Sequence, residues 1–174
     1  DSAALYLIQP DMSQYNISIY AGESINTKDF AFNIHEVTDS SVVMRLPFAQ
    51  GGYIEQKYWL PEGSYMLQNE LSFVGMDEVI PRNVSMFDID WSFVIPRLEK
   101  GYKNEKQYSK LDYYFDGDKK PEETGRGRDG RESVDTKFKW FAFQQQFFSA
   151  IMTSGNEFAS GDLDIQFFAE DDTN

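Results

Sequence analysis

With 174 residues, 16 basic against 29 acidic side chains and a formal charge of -13, the chain is the size of one domain and can bury a core without covalent staples. It has no cysteine, which excludes disulfides, zinc–thiolate sites and thiol nucleophiles. Its acidity disfavours nucleic acid and anionic lipid as general partners, and no run reaches the ~18 apolar residues of a membrane span. It opens on Asp1 with no basic and apolar leader, which reads as a processed or internally cut segment.

In chain order, Ala4–Gln9 is a short apolar run closed by Pro10 and reads as a strand. Gln14–Tyr20 places Tyr15, Ile17 and Ile19 on one face and Asn16 and Ser18 on the other, a half-buried strand. A turn is expected at Ala21–Ser24. Phe30, Phe32 and Ile34 then alternate with Ala31, Asn33 and His35 as a further strand, broken at Asp39–Ser41. Ser41–Phe48 is β-rich, with Pro47 marking an edge or an end. Tyr53–Leu60 and Ser64–Gly75 read as a hairpin about the Pro61–Ser64 turn. Val84–Ile95 is the longest strand candidate, with Phe87, Ile89, Trp91 and Phe93 opposite Met86, Asp88, Asp90 and Ser92, and Pro96 ends it.

Leu98–Lys110 is charged, with room for a helical turn or two, and Leu111–Phe115 is a short strand. Asp116–Ser133 holds no apolar residue except Pro121 and reads as a long, mobile polar loop. Leu163, Ile165 and Phe167 form a last strand after a turn at Ser154–Asn156. The acidic end Glu170–Asp172 frays or leads onward. Many short strands between turn signals, without a long helix, predict an all-β sandwich in one domain spanning 1–174.

Few residues carry recognisable chemistry. A single histidine, His35, cannot build a multi-histidine metal site and reads as a surface residue. Asp116-Gly117-Asp118 with Glu122 and Glu123 lacks calcium-loop spacing and reads as a solvated turn. Gly125–Arg131 is glycine- and arginine-rich but not a phosphate-binding P-loop. Its three arginines could meet phosphates, and its flanking acids offset that field. Asp88 and Asp90 project from one face like a hydrolase carboxylate pair, yet flank an aromatic face and read as its solvated side. Asn16-Ile17-Ser18 and Asn83-Val84-Ser85 match the N-glycosylation pattern. No catalytic residue, metal site or cofactor is assigned.

Lys137–Thr153 (K-F-K-W-F-A-F-Q-Q-Q-F-F-S-A-I-M-T) holds five of the fifteen phenylalanines. As a helix, Trp140, Phe143, Phe147 and Ile151 would form a stripe. The alternation of Lys137 and Lys139 with Phe138 and Trp140 favours a strand, a short helical turn at the glutamines, then a second strand. Core packing is the first expectation for its aromatics. The second is a partner-binding patch of Trp140, Phe141, Phe143, Phe147 and Phe148.

This block resembles the late aromatic-and-glutamine stretch in the periplasmic domain of YidC membrane protein insertases, in its Bacteroidetes version. Ile25–Phe32, the hairpin from Tyr53 through Leu71, and Tyr114–Asp118 read like that domain in the same order. The resemblance implies an antiparallel β-supersandwich of the galactose-mutarotase-like type, lacking its first strands. It also implies a place on the periplasmic side of the inner membrane, anchored by segments outside this chain. The implied role is a non-catalytic scaffold for Sec translocon components and nascent membrane proteins. A second reading is a secreted carbohydrate-binding or mutarotase-like module, in which Tyr53, Tyr58, Trp59 and Trp91 stack on sugars.

Overall fold

The computed structural model describes residues 8–49, 51–97 and 101–168, and its contacts divide between Val94 and Ile95 into two compact units. Among the described residues are thirteen strands and one short α-helix, and the strand pairs are antiparallel. The all-β, antiparallel class read from the sequence is the class that forms.

The first unit contains β1 (Ser13–Tyr20), β2 (Ser24–Asn26), β3 (Asn33–Val37), β4 (Ser41–Pro47), β5 (Tyr53–Trp59), β6 (Gln68–Val74) and β7 (Asp88–Phe93). One sheet has the order β2-β1-β7 and the other is the meander β3-β4-β5-β6. Ile17 and Ile19 of β1 are buried, as the alternation requires. The meander builds its own core from Leu46, Ile54 and Met76, flanked by Phe32, Phe48, Leu71 and Phe73. Tyr58 of β5 donates its hydroxyl proton to Gln56. Burial, and then the neighbouring Tyr15 of β1, push the Tyr58 phenol well above its usual range.

Four first-unit expectations change for physical reasons. In the Ala4–Gln9 run, residues 4–7 lie outside the described residues, and Ile8 and Gln9 lead into a 3-10 turn at Pro10–Met12 instead of a strand. The strand expected from Phe30 starts only at Asn33, because Thr27–Asp29 is a 3-10 turn bonded to β1. β3 is exposed along its length, so His35 sits on the surface as expected. The Ser64–Gly75 strand shortens to β6, whose seven residues match the seven of β5. Residues 64–67 lie past the end of β5, in a turn closed by the Ser64 amide on the Pro61 carbonyl. Likewise Val84–Ile95 shortens to β7, the part that finds a partner in β1.

Asn16 shows how the two polar-face residues of β1 are used. It is 1% exposed. Its Nδ2 donates to Asp90 (2.9 Å), Ser18 and Asn26, and its Oδ1 accepts from the Lys28 amide (3.1 Å) and the Thr27 hydroxyl. A buried amide so fully satisfied anchors the Thr27–Asp29 turn to β1. It also closes the first glycosylation pattern, whose acceptor nitrogen faces inward. Asp90, one of the carboxylate pair weighed above, is exposed and bonded in this network.

The second unit contains α1 (Tyr102–Tyr108), β8 (Lys110–Tyr114), β9 (Glu122–Thr124), β10 (Gly130–Val134), β11 (Phe138–Gln144), β12 (Ser149–Phe158) and β13 (Gly161–Ile165). Its sheets are β12-β11-β8-β9 and β10-β13. The core gathers Leu111, Tyr113, Val134, Phe138 and Leu163, with Phe115, Phe141, Phe143, Phe158 and Ile165 against them.

Here the polar loop expected over Asp116–Ser133 is corrected. Glu122–Thr124 and Gly130–Val134 are strands, because β8 and β13 supply the backbone partners that their charged side chains do not advertise. The glutamine turn is not helical. Gln144 pairs with Ser149, and the Gln145 amide donates to the Phe148 carbonyl (2.8 Å), giving a four-residue hairpin loop. Ser154–Asn156, expected to end the strand, lies inside β12. The ladder jumps from Trp140–Thr153 to Phe138–Phe158, so residues 154–157 bulge out, with Glu157 at φ 64°. The last strand stops at Ile165, because the Phe167 amide turns to Asp129 Oδ1 (2.8 Å).

Candidate functional site

The β11–β12 hairpin divides its aromatics between two faces. On β11, Phe141 and Phe143 pair across to Tyr113 and Leu111 of β8 and join the core face. Their rings meet edge to face, 6.0 Å apart. Phe138, 2% exposed, joins the same side through the register shift that separates it from Trp140. Its ring stacks on Phe158 at 5.1 Å.

The opposite face carries Trp140, paired with Tyr114 of β8 and Thr153 of β12. The Trp140 and Tyr114 rings stack at 5.5 Å with 15° between their planes. Beside them Ile151, opposite Ala142, is 59% exposed, and at the hairpin tip Phe147 is 65% exposed. Phe148 is half-buried in the same loop. Gln145 is buried and donates to the Pro96 carbonyl (3.1 Å), which fixes the loop. The five candidate residues are therefore not one patch. Trp140 and Phe147 look outward, whereas Phe141 and Phe143 pack from behind. Tyr114 was not joined to this group by sequence reasoning, and Ile151 met Trp140 there only as part of a helical stripe, a geometry the chain does not adopt. Only the strand register brings them to Trp140.

Next to this face runs an ion ladder. Lys110 Nζ lies 2.7 Å from Asp112 Oδ1 and 2.9 Å from Glu123 Oε2, and Arg126 Nε donates to Glu123 Oε1 at 2.8 Å. The buried Asp112 Oδ1 has this ion contact but no aligned hydrogen bond. Hydrogen bonds from Arg126 and then Lys110 pull the Glu123 carboxyl down to about 2 from 4.5. A carboxyl lowered on folding stabilises the fold above the unfolded value. That contribution is lost as pH falls from about 4.5 through about 2. Glu123 is 42% exposed, so solvent screening keeps the ladder at surface-pair scale, about 0.2–1 kcal/mol. Acid titration of second-unit unfolding is expected to show a small loss in that window. Glu123→Gln is expected to remove it, and an unchanged acid limb would contradict the ladder.

Other candidates disperse. Among the described residues no group of three or more His, Asp or Glu side chains gathers as a metal site. Asp116–Asp118 is a turn in which the Asp118 carbonyl accepts from the Tyr114 hydroxyl (2.9 Å). The four aromatics of the sugar reading do not form one platform. Tyr53 and Trp59 share a face of β5, each beside a cation (Arg45 at 4.4 Å, Lys57 at 5.6 Å), Tyr58 points to the other face, and Trp91 lies on β7 against Phe93.

Comparison with known proteins gives a consistent result. The chain is 28% identical over 165 residues to a membrane protein insertase YidC of Porphyromonas gingivalis, covering 94% of this chain and 26% of that protein. It is 31% identical over 159 residues to the YidC of Bacteroides fragilis, covering 91% of this chain and 26% of that protein. It is 33% identical over 141 residues to the YidC of Phocaeicola vulgatus, covering 81% of this chain and 22% of that protein. The chain thus spans about a quarter of the length of the curated relatives it matches. No family model and no solved structure matches it. None of these likenesses favours a sugar-binding module.

Proposed function

We infer, from the premise that the chain belongs to the YidC-type membrane protein insertases, that it is a non-catalytic domain assisting insertion from the periplasmic side of the inner membrane. Its task is to hold partners: nascent membrane proteins and, beside them, Sec translocon components. The name of the relatives supports the membrane-protein substrates. Among the described residues no helix is long and apolar enough to cross a membrane. The relatives are about four times as long as the matched region, and in this reading their other segments meet the bilayer.

The observation that carries the contact role is the outward group on β11–β12: Trp140 stacked on Tyr114, exposed Ile151, and Phe147 at the tip. Exposed Phe147 and Ile151, beside the half-buried Trp140–Tyr114 stack on a paired hairpin, suit an apolar segment in transit. Phe141 and Phe143 act as the packed backing that keeps the strand flat under Trp140, and Phe148 seats the loop.

In the full-length protein, a photo-crosslinking side chain at position 147 is expected to capture nascent membrane protein. Trp140→Ala with Phe147→Ala is expected to weaken capture by roughly thirtyfold, the scale of an aromatic hot spot worth about 2 kcal/mol. Unchanged capture of substrates and Sec components by the double variant would remove the contact role.

A further inference from the structure

The glycine- and arginine-rich segment between β9 and β10 is a clamped turn rather than a free loop. The Arg128 amide donates to the Gly125 carbonyl (3.3 Å), and the Gly127 amide donates to the Ser109 carbonyl just past α1 (3.0 Å). Gly127 has φ 65°, and a Cβ there would lie 3.3 Å from the Gln107 Cα. Only glycine lets the turn seat this closely on α1.

That seating brings Arg126 beside Lys103 and Lys106, one helical turn apart on α1. The three cations line an open concavity of about 560 Å³ together with Gln107, Tyr108 and Gly127, and no carboxylate lines it. Arg126 also borders a second concavity of about 400 Å³, lined by Glu123, Thr124, Gly125, Arg126 and Arg128. Lys106 is held at 4.9 Å from the Phe167 ring and 5.6 Å from the Tyr102 ring. Among the described residues Lys103 and Arg128 enter no ion pair. Nearby acids are engaged: Glu123 by Arg126 and Lys110, Asp129 by the Phe167 amide, while Glu105 is buried.

We propose that the cleft between α1 and the β9–β10 turn is an anion site that takes a phosphate group. On a chain of formal charge -13, cations collected in one concavity from segments some twenty residues apart are a local exception to the overall field. Several donors around one open volume match the multiple oxygens and charge of phosphate better than a single carboxylate. The group could arrive on a phospholipid headgroup or as the free ion. The site is independent of the aromatic hairpin and does not rest on the role proposed for it.

The test is titration of the isotope-labelled 174-residue chain at matched ionic strength. One arm uses inorganic phosphate against chloride, and the other uses phosphatidylglycerol vesicles against phosphatidylcholine vesicles. Saturable shifts of the Gln107, Gly127 and Arg128 amides are expected. A response in the first arm identifies the free ion, and one confined to phosphatidylglycerol identifies the headgroup. Lys103→Glu with Lys106→Glu is expected to weaken the response by at least about tenfold, and the Lys→Arg pair to keep it. No saturable shift in either arm, equal shifts with chloride or phosphatidylcholine, or a response indifferent to charge reversal would each overturn the site.

Discussion

Phe138→Ala is expected to destabilise the second unit by about 3–5 kcal/mol, the range for removing a buried phenyl ring. Phe138 is 2% exposed, stacks on Phe158 and leans on Phe141. It also covers Gly161, where an added Cβ would sit 3.0 Å from its ring. Few neighbours can collapse into the space it leaves, because strands β8, β11 and β13 are fixed by their ladders. Phe147→Ala, nine residues on, is expected to change stability by no more than about 0.5 kcal/mol. Amide exchange of β8 and β11 measures both. Equal effects of the two substitutions would show that the hairpin does not divide its aromatics as described.

The second large effect is expected at the neck of the β9–β10 turn. Gly125 has φ 67°, and a Cβ built on it would lie 2.1 Å from Ile165 Cγ2 and 3.1 Å from the Arg128 carbonyl oxygen. Ile165 is β-branched and held in β13, so its methyl cannot swing away freely. Gly125→Ala therefore combines left-handed backbone strain of about 1–2 kcal/mol with overpacking of about 1–3 kcal/mol. Gly117 separates the two terms. It has φ 90° with nothing within 4 Å of an added Cβ. Gly117→Ala should thus cost only the backbone part, and the difference between the two variants in β10 and β13 amide exchange reads the steric part. No difference would mean that the neck is looser than its geometry.

The same two positions show what could be read in advance. The aromatic block was legible as strand, break and strand, since Lys137 and Lys139 alternate with Phe138 and Trp140 and three glutamines interrupt the apolar run. Which aromatics point inward was not legible. A bulge between Phe138 and Trp140 changes the parity that alternation assumes. Gly125 and Gly130 were visible as punctuation inside a charged stretch. That this stretch forms β9 and β10 depends on partners elsewhere, because glutamate and arginine carry no strand signal of their own. The arginines of the turn were noticed, but Lys103 and Lys106 were not joined to them, since the clamp at Gly127 exists only in three dimensions.

Composition and local pattern by themselves determined an all-β chain, its main hairpins, the absence of cysteine chemistry and the family likeness carried by the aromatic block. The strands and hairpins follow from period-two alternation and turn residues, which act over a few neighbours; the missing cysteine chemistry follows from composition, and the family likeness is a resemblance of residue blocks. Only the tertiary structure decided strand ends, the sides of the hairpin and the company kept by the basic turn. Each of these is set by pairing and packing between residues distant along the chain, and backbone hydrogen bonds accept almost any side chain that the partner strand can reach.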